Sequence, residues 1–97
     1  MTEKCIMPGS TEYSNVRYPG LERHEIFFGR NRKRSIEDGL VVFLTPEKHR
    51  GFNGAHGSGS DGIAFNKKLK QLGQRVAMEY YGWTVEDFRK RYGKSYL

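Results

Sequence analysis

Leu40-Val-Val-Phe-Leu44, running without a break into Thr45-Pro46-Glu47-Lys48-His49, is the stretch on which the reading of this chain turns. A short continuous apolar run of this kind is the pattern of a strand buried on both faces. The five residues after it carry a helix-start signature. Thr45 is the N-cap, Pro46 takes the first helical position, where a missing N–H costs nothing, and Glu47 places an acid in the first turn. A buried strand is therefore expected to pass straight into a helix that carries His49.

On the N-terminal side, Leu21 to Phe28 (LERHEIFF) gathers β-branched and aromatic residues toward its end and stops at Gly29, which predicts a first strand. Strict alternation would put His24, Ile26 and Phe28 on one face and Arg23, Glu25 and Phe27 on the other. Between the strands, Arg30-Asn-Arg-Lys-Arg34 reads as a basic loop, followed by a single helical turn capped by Ser35 and ended by Gly39. Residues 1–20 read as irregular structure around turns at Pro8-Gly9 and Pro19-Gly20, with little packing of their own.

Beyond His49, Gly51 to Ser60 (GFNGAHGSGS) interrupts the helix with a glycine-rich segment expected to be a mobile loop. Asp61 is a plausible cap for a long amphipathic helix whose apolar stripe is Phe65, Leu69, Leu72, Val76 and Tyr80, with Lys67, Lys68, Lys70 and Arg75 on the opposite face. Gly82 closes it. Thr84, with Asp87 at the capping-box position, starts a last helix that Gly93 ends. The expected class is α+β, in one domain of 97 residues.

Seventeen Lys and Arg against eleven Asp and Glu leave a formal charge of +6, which suits a polyanionic partner such as DNA, although many small soluble domains are merely basic. The chain has no apolar run of the ~20 residues that span a bilayer and no apolar signal-peptide core, so a cytoplasmic location is expected and a membrane partner is not. Cys5 is the only cysteine, which excludes an internal disulfide and a multi-thiolate zinc site made by this chain alone.

Three histidines, His24, His49 and His56, lie in a strand, at a helix start and in a glycine-rich loop. A hairpin capped by a helix would bring such positions to one cleft, where neutral imidazoles can hold a divalent metal that polarises a phosphodiester. The plainer alternative is that each is a surface or capping residue.

His24-Glu-Ile26, Leu40 to His49 and the further His56 together resemble the HNH (ββα-metal) nuclease family, over about residues 21 to 57. The resemblance implies an HNH-like domain with an irregular segment at 1–20, a ββα-metal core at 21–57 and a helical tail at 61–97. It implies a metal-dependent endonuclease that hydrolyses DNA, phage or mobile-element encoded and acting in the cytoplasm of a bacterial host, with Mg, Mn, Ni or Zn as cofactor. Thr45-Pro46-Glu47-Lys48-His49 is similar to the helix start of the colicin-type members, which makes His49 a metal ligand and His56 a second after a longer spacer. Two registrations of the first strand stay open: His24 as ligand with Glu25 as general base, or His24 as base with metal held by His49, His56 and Glu25. Cys5 to Pro8 and Thr45 to Lys48 look like the two zinc knuckles of phage-type members with only Cys5 retained, so four-ligand zinc is not expected. The family's Asn before the second strand is missing, and Asp38 or Asn31 would have to replace it.

Arg30, Arg32, Lys33 and Arg34 would flank the cleft and bind phosphates. The closing stretch, Phe88 to Leu97, interleaves aromatic and basic residues, and packing of the aromatics is favoured there over base stacking. The departures from the family pattern motivate an alternative function: an inactive HNH-derived binding protein, acting on nucleic acid or on a protein partner as a phage regulator or inhibitor of a defence system. A structural or assembly protein with a basic surface is the third reading.

Overall fold

The computed structural model describes residues 3–97. Two antiparallel strands, β1 (Glu22–Glu25) and β2 (Val41–Leu44), are linked through a 3₁₀ turn (Gly29–Asn31) and helix α1 (Arg32–Glu37). Helices α2 (Pro46–Arg50), α3 (Ser60–Tyr81) and α4 (Val85–Tyr92) follow, so the class is α+β. The register pairs His24 with Val42 and Glu22 with Leu44. Every residue of β2 is buried, as its unbroken apolar run requires. Among the described residues no helix is long and apolar enough to cross a membrane.

The first strand is shorter than its sequence suggests. It stops at Glu25, and the chain bends so that Ile26 and Phe27 are both buried, in place of the alternation expected to run through Phe28. Ser35 explains the bend. It sits inside α1, not at its cap; its hydroxyl accepts from the Phe27 N–H (3.1 Å) and donates to the Leu40 carbonyl (2.6 Å), which also accepts from the Ile26 N–H (3.1 Å). A buried hydroxyl satisfied on both sides holds the end of β1 against the start of β2. The segment from Arg30 to Arg34, expected as a loop, is accordingly helical.

Residues 3–20 contain no regular element, as expected, yet they pack. Met7 and Tyr13 enter the core, Ser14 bridges Phe43 on β2, and Ile6 donates to the Gly39 carbonyl. The turn at Pro19-Gly20 forms; Pro8-Gly9 lies in irregular chain without a turn.

Thr45 caps α2 through the Lys48 N–H, and Thr84 and Asp87 form a reciprocal capping box on α4, both as their sequences specify. Gly82 and Gly93 end α3 and α4. Helix α3 starts two residues earlier than anticipated, with Gly59 as N-cap and Asp61 in the first turn. Its buried face also drifts from the expected stripe: Phe65 and Leu69 are buried, but then Gly73 and Ala77 are, while Leu72 and Val76 flank the core and Tyr80 is exposed. A Cβ at Gly73 would lie 3.2 Å from Ile26 Cγ2 and 3.3 Å from the Phe27 ring. The helix thus turns Gly73 to the bend after β1.

Phe27, Phe88 and Tyr92 form an aromatic triangle with centroids 4.7 to 5.4 Å apart, which docks α4 on that bend. The expected packing role of the C-terminal aromatics is met by Phe88 and Tyr92, both buried.

Candidate metal centre

The glycine-rich segment is folded tightly back on α2. Ala55 donates to the Lys48 carbonyl (2.7 Å), His56 to His49 (3.0 Å) and Gly59 to Phe52 (2.8 Å). A Cβ at Gly57 would lie 2.0 Å from the Phe52 carbonyl oxygen, so only glycine allows the fold-back. The segment expected to be mobile is therefore a hydrogen-bonded loop. Its main effect is to set His56 beside His49.

His24 comes from β1, His49 from α2 and His56 from this loop, and one ligand atom from each lies within 4.8 Å of the others. The ring centroids are 4.8 to 5.2 Å apart. The three histidines lie close enough to hold a metal ion, and among the described residues they are the metal-capable group that the structure assembles. His24 is fully buried, His49 half-buried and His56 exposed, which opens the cluster to solvent on one side.

His24 is the most informative of the three, because neither its Nδ1 nor its Nε2 has a hydrogen-bond partner although both are buried. Such atoms are rare in folded proteins and call for an explanation. Burial, followed by the charges of His56, His49 and Lys70, pushes the His24 pKa down to about 3. His56 is lowered by burial and then by His49, with the charge of Glu25 acting in the opposite direction. Neutral imidazole is the form in which histidine binds metal.

His49 Nδ1 lies 2.9 Å from Glu22 Oε1. With Nδ1 donating to this carboxylate, Nε2 keeps its lone pair, the arrangement that orients a metal-binding histidine. Arg50 grips the same carboxylate through both oxygens, at 2.9 and 2.6 Å. Arg50, then His49, holds the Glu22 carboxyl below the usual carboxylate range. Glu22 was not foreseen from sequence; the signal was its place two residues before His24 on one strand, which gives both residues the same face.

Glu25 does not join the cluster. Its Oε2 accepts from Arg23 (2.9 Å) and its Oε1 from Arg32 (2.8 Å). Arg32 is thereby paired, whereas Arg30, Lys33 and Arg34 are exposed and have no acidic partner among the described residues. Cys5 stands apart as well: its half-buried thiol donates to the Val41 carbonyl (3.0 Å), and burial raises its pKa. Asp38 and Asn31 both fasten to α4. Asp38 accepts from the Arg91 guanidinium (2.6 and 2.9 Å) and the Tyr92 hydroxyl (2.6 Å), and Asn31 Nδ2 donates to the Tyr92 carbonyl (2.9 Å).

No family model matches the chain, and neither a curated protein nor a solved structure is significantly similar to it.

A buried histidine with a lowered pKa makes the metal-free protein acid-sensitive. The unfolded chain takes up the His24 proton near pH 6.5 and the folded chain only near 3, so this stability is complete above 6.5 and is lost as pH falls toward 3. The expected slope is about 1.4 kcal/mol per pH unit, with His56 adding in the same direction. Urea titrations in chelator from pH 7.5 to 5 check it; a flat profile would show that His24 takes up its proton alike in the folded and unfolded chain.

Proposed function

We propose that this protein is a divalent-metal-dependent nuclease that hydrolyses DNA phosphodiester bonds on an HNH-like ββα-metal scaffold. The observation that carries the reading is His24, buried with both ring nitrogens unpartnered beside two further histidines. A metal taking the ring's one free lone pair would remove a desolvation cost of about 1–3 kcal/mol.

His24, His49 and His56 would hold the ion. Three imidazoles suit Zn or Ni better than Mg, which prefers oxygen ligands, with Mn between them. Three protein ligands rather than four is the composition of catalytic zinc sites. When bound, the metal would supply Lewis-acid stabilisation of phosphoryl and leaving-group oxygens. The chain's own residues do the rest: Glu22 fixes the His49 tautomer, Arg50 holds Glu22, and Arg30, Lys33 and Arg34 offer guanidinium and ammonium groups to phosphates. Of the two candidate bases, His24 is enclosed and fits the ligand role. Glu25 is left for proton abstraction from water, once Arg32, whose side chain is 60% exposed, is drawn to a phosphate.

Incubation with supercoiled plasmid and Mg, Mn, Ni or Zn tests the reading. Nicking with at least one metal, about one metal per chain by elemental analysis, and loss of both in His49→Ala are expected. Glu22→Gln should weaken metal binding about 10–100-fold without unfolding the chain, the effect typical of losing the group that orients a ligand. The engagement of both Glu25 oxygens by arginines favours a second reading, a binding protein that uses the same scaffold without cutting. Metal-independent DNA binding with no nicking under any of the four metals would establish that reading in place of the first.

A further inference from the structure

Between the 28–34 segment and the C-terminal 90–96 segment lies an open groove of about 690 Å³. Its walls carry Arg30 and Arg34 on one side and Lys90 and Lys94 on the other, and none of the four has an acidic partner among the described residues. Arg91, also in the wall, is neutralised by Asp38 and Glu37. The basic and aromatic residues of the C-terminal stretch therefore part company: Phe88 and Tyr92 turn inward, while Lys90, on α4, and Lys94, just beyond it, line the groove opposite Arg30 and Arg34.

Phe28 closes one end of the groove, and its ring centroid is 4.5 Å from that of His56. Lys70 Nζ sits 4.1 Å from the centroid of the Phe28 ring and 5.5 Å from that of Tyr96, so a fifth cation lies where the groove approaches the histidines. The Lys70 pKa is lowered, first by burial and then by the charge of Lys94. At the other end, Arg34, Lys90 and Arg91 also border a second recess beside Trp83. The only carboxylate in that recess, Asp87, is turned to the Thr84 backbone as its cap.

We propose that this groove is a track for a single strand of nucleic acid, whose phosphates lie between Arg30 and Arg34 on one wall and Lys90 and Lys94 on the other. Cations facing one another across a concave cleft neutralise one backbone from both sides. A volume of this size encloses roughly one or two nucleotides, whereas a duplex presents a convex surface too broad to enter. Phe28 then marks the point where the strand leaves the groove for the histidine cluster. Only that direction of travel rests on the nuclease reading; occupancy of the groove does not.

Anisotropy titrations of a fluorescein-labelled 15-mer of thymidylate and of a 15-base-pair duplex, in chelator and at several salt concentrations, test the track apart from any metal chemistry. The single strand is expected to bind more tightly than the duplex. Lys90→Ala/Lys94→Ala should weaken it roughly ten-fold and reduce the salt slope by about 1.4, or about 0.7 per phosphate contact. Lys67→Ala/Arg75→Ala, on exposed positions of α3 outside the groove, should change neither. All four side chains are exposed, and a circular-dichroism melt verifies the fold. Equal loss from both double variants, tighter binding of the duplex, or no binding at low salt would each overturn the track. Absence of both plasmid nicking and cleavage of the single-stranded oligomer with any of the four metals, with the track intact, would overturn only the nuclease reading.

Discussion

His24→Leu is expected to make the metal-free protein more stable and to abolish tight metal binding. His24 is enclosed in the sheet beside the His49 and His56 rings with two unpartnered ring nitrogens, and an apolar side chain of comparable bulk removes that desolvation cost. The gain should be about 1–3 kcal/mol, and for a domain of this size each kcal/mol moves the melting temperature by about 4–8 °C. Metal should reverse the order. At a free zinc concentration 100 times its dissociation constant, the native chain gains about 2.7 kcal/mol and the variant nothing. The variant should also lose the acid sensitivity between pH 6.5 and 5 that His24 contributes. Paired thermal melts with chelator and with zinc decide it. A variant that melts lower than the native chain in chelator, or that zinc stabilises equally, would remove His24 from the metal centre.

Asp38→Ala is expected to cost about 3–5 kcal/mol, the range for stripping one partner from a buried ion pair. Asp38 is nearly buried and its carboxylate receives the Arg91 guanidinium twice and the Tyr92 hydroxyl once. The same contacts hold the Arg91 pKa up and, after burial, raise that of Tyr92. Removing the carboxylate leaves a half-buried cation with only its 3.4 Å contact to Glu37, and a buried hydroxyl without an acceptor. The damage should concentrate on α4, because Arg91 and Tyr92 both belong to it, and should carry the Lys90 and Lys94 wall of the groove away. Urea denaturation gives the loss in stability, and amide hydrogen exchange locates it. Arg91→Met/Asp38→Leu, which removes both charges, should recover much of the stability. A loss under about 1 kcal/mol in the single variant would mean that the aromatic triangle alone docks the helix.

Much of the local structure was legible in the residues. The buried strand at 40–44, the Thr45-Pro46 helix start, the Thr84 and Asp87 capping box, and the helix ends at Gly82 and Gly93 were each specified by a few consecutive residues: an apolar run, a capping side chain, or a glycine free to adopt positive φ. The three histidines were identifiable as a group because each sits at a change of local structure. The clues failed where distant segments compete for one residue. Ser35 suggests a cap and is instead a buried clamp on Phe27 and Leu40, a role set by residues 8 and 5 positions away. Helix α3 keeps Leu72 and Val76 only at the edge of the core and leaves Tyr80 exposed, because the bend at Ile26 and Phe27 packs on Gly73, a contact that no helical periodicity contains.

The histidine centre itself divides along the same line. Sequence alone determined which side chains were available: three imidazoles, one thiol and a basic surplus, on a buried strand that feeds a capped helix. Only the tertiary structure decided that Glu22 orients His49, that Glu25 is occupied by two arginines, and that the glycine-rich segment brings His56 alongside. The reason is physical. Helix caps are satisfied within a few residues and a buried strand is written in consecutive apolar positions, whereas the burial of His24 and the contact of Arg50 with Glu22 arise only when the sheet, the helix and the loop are brought together.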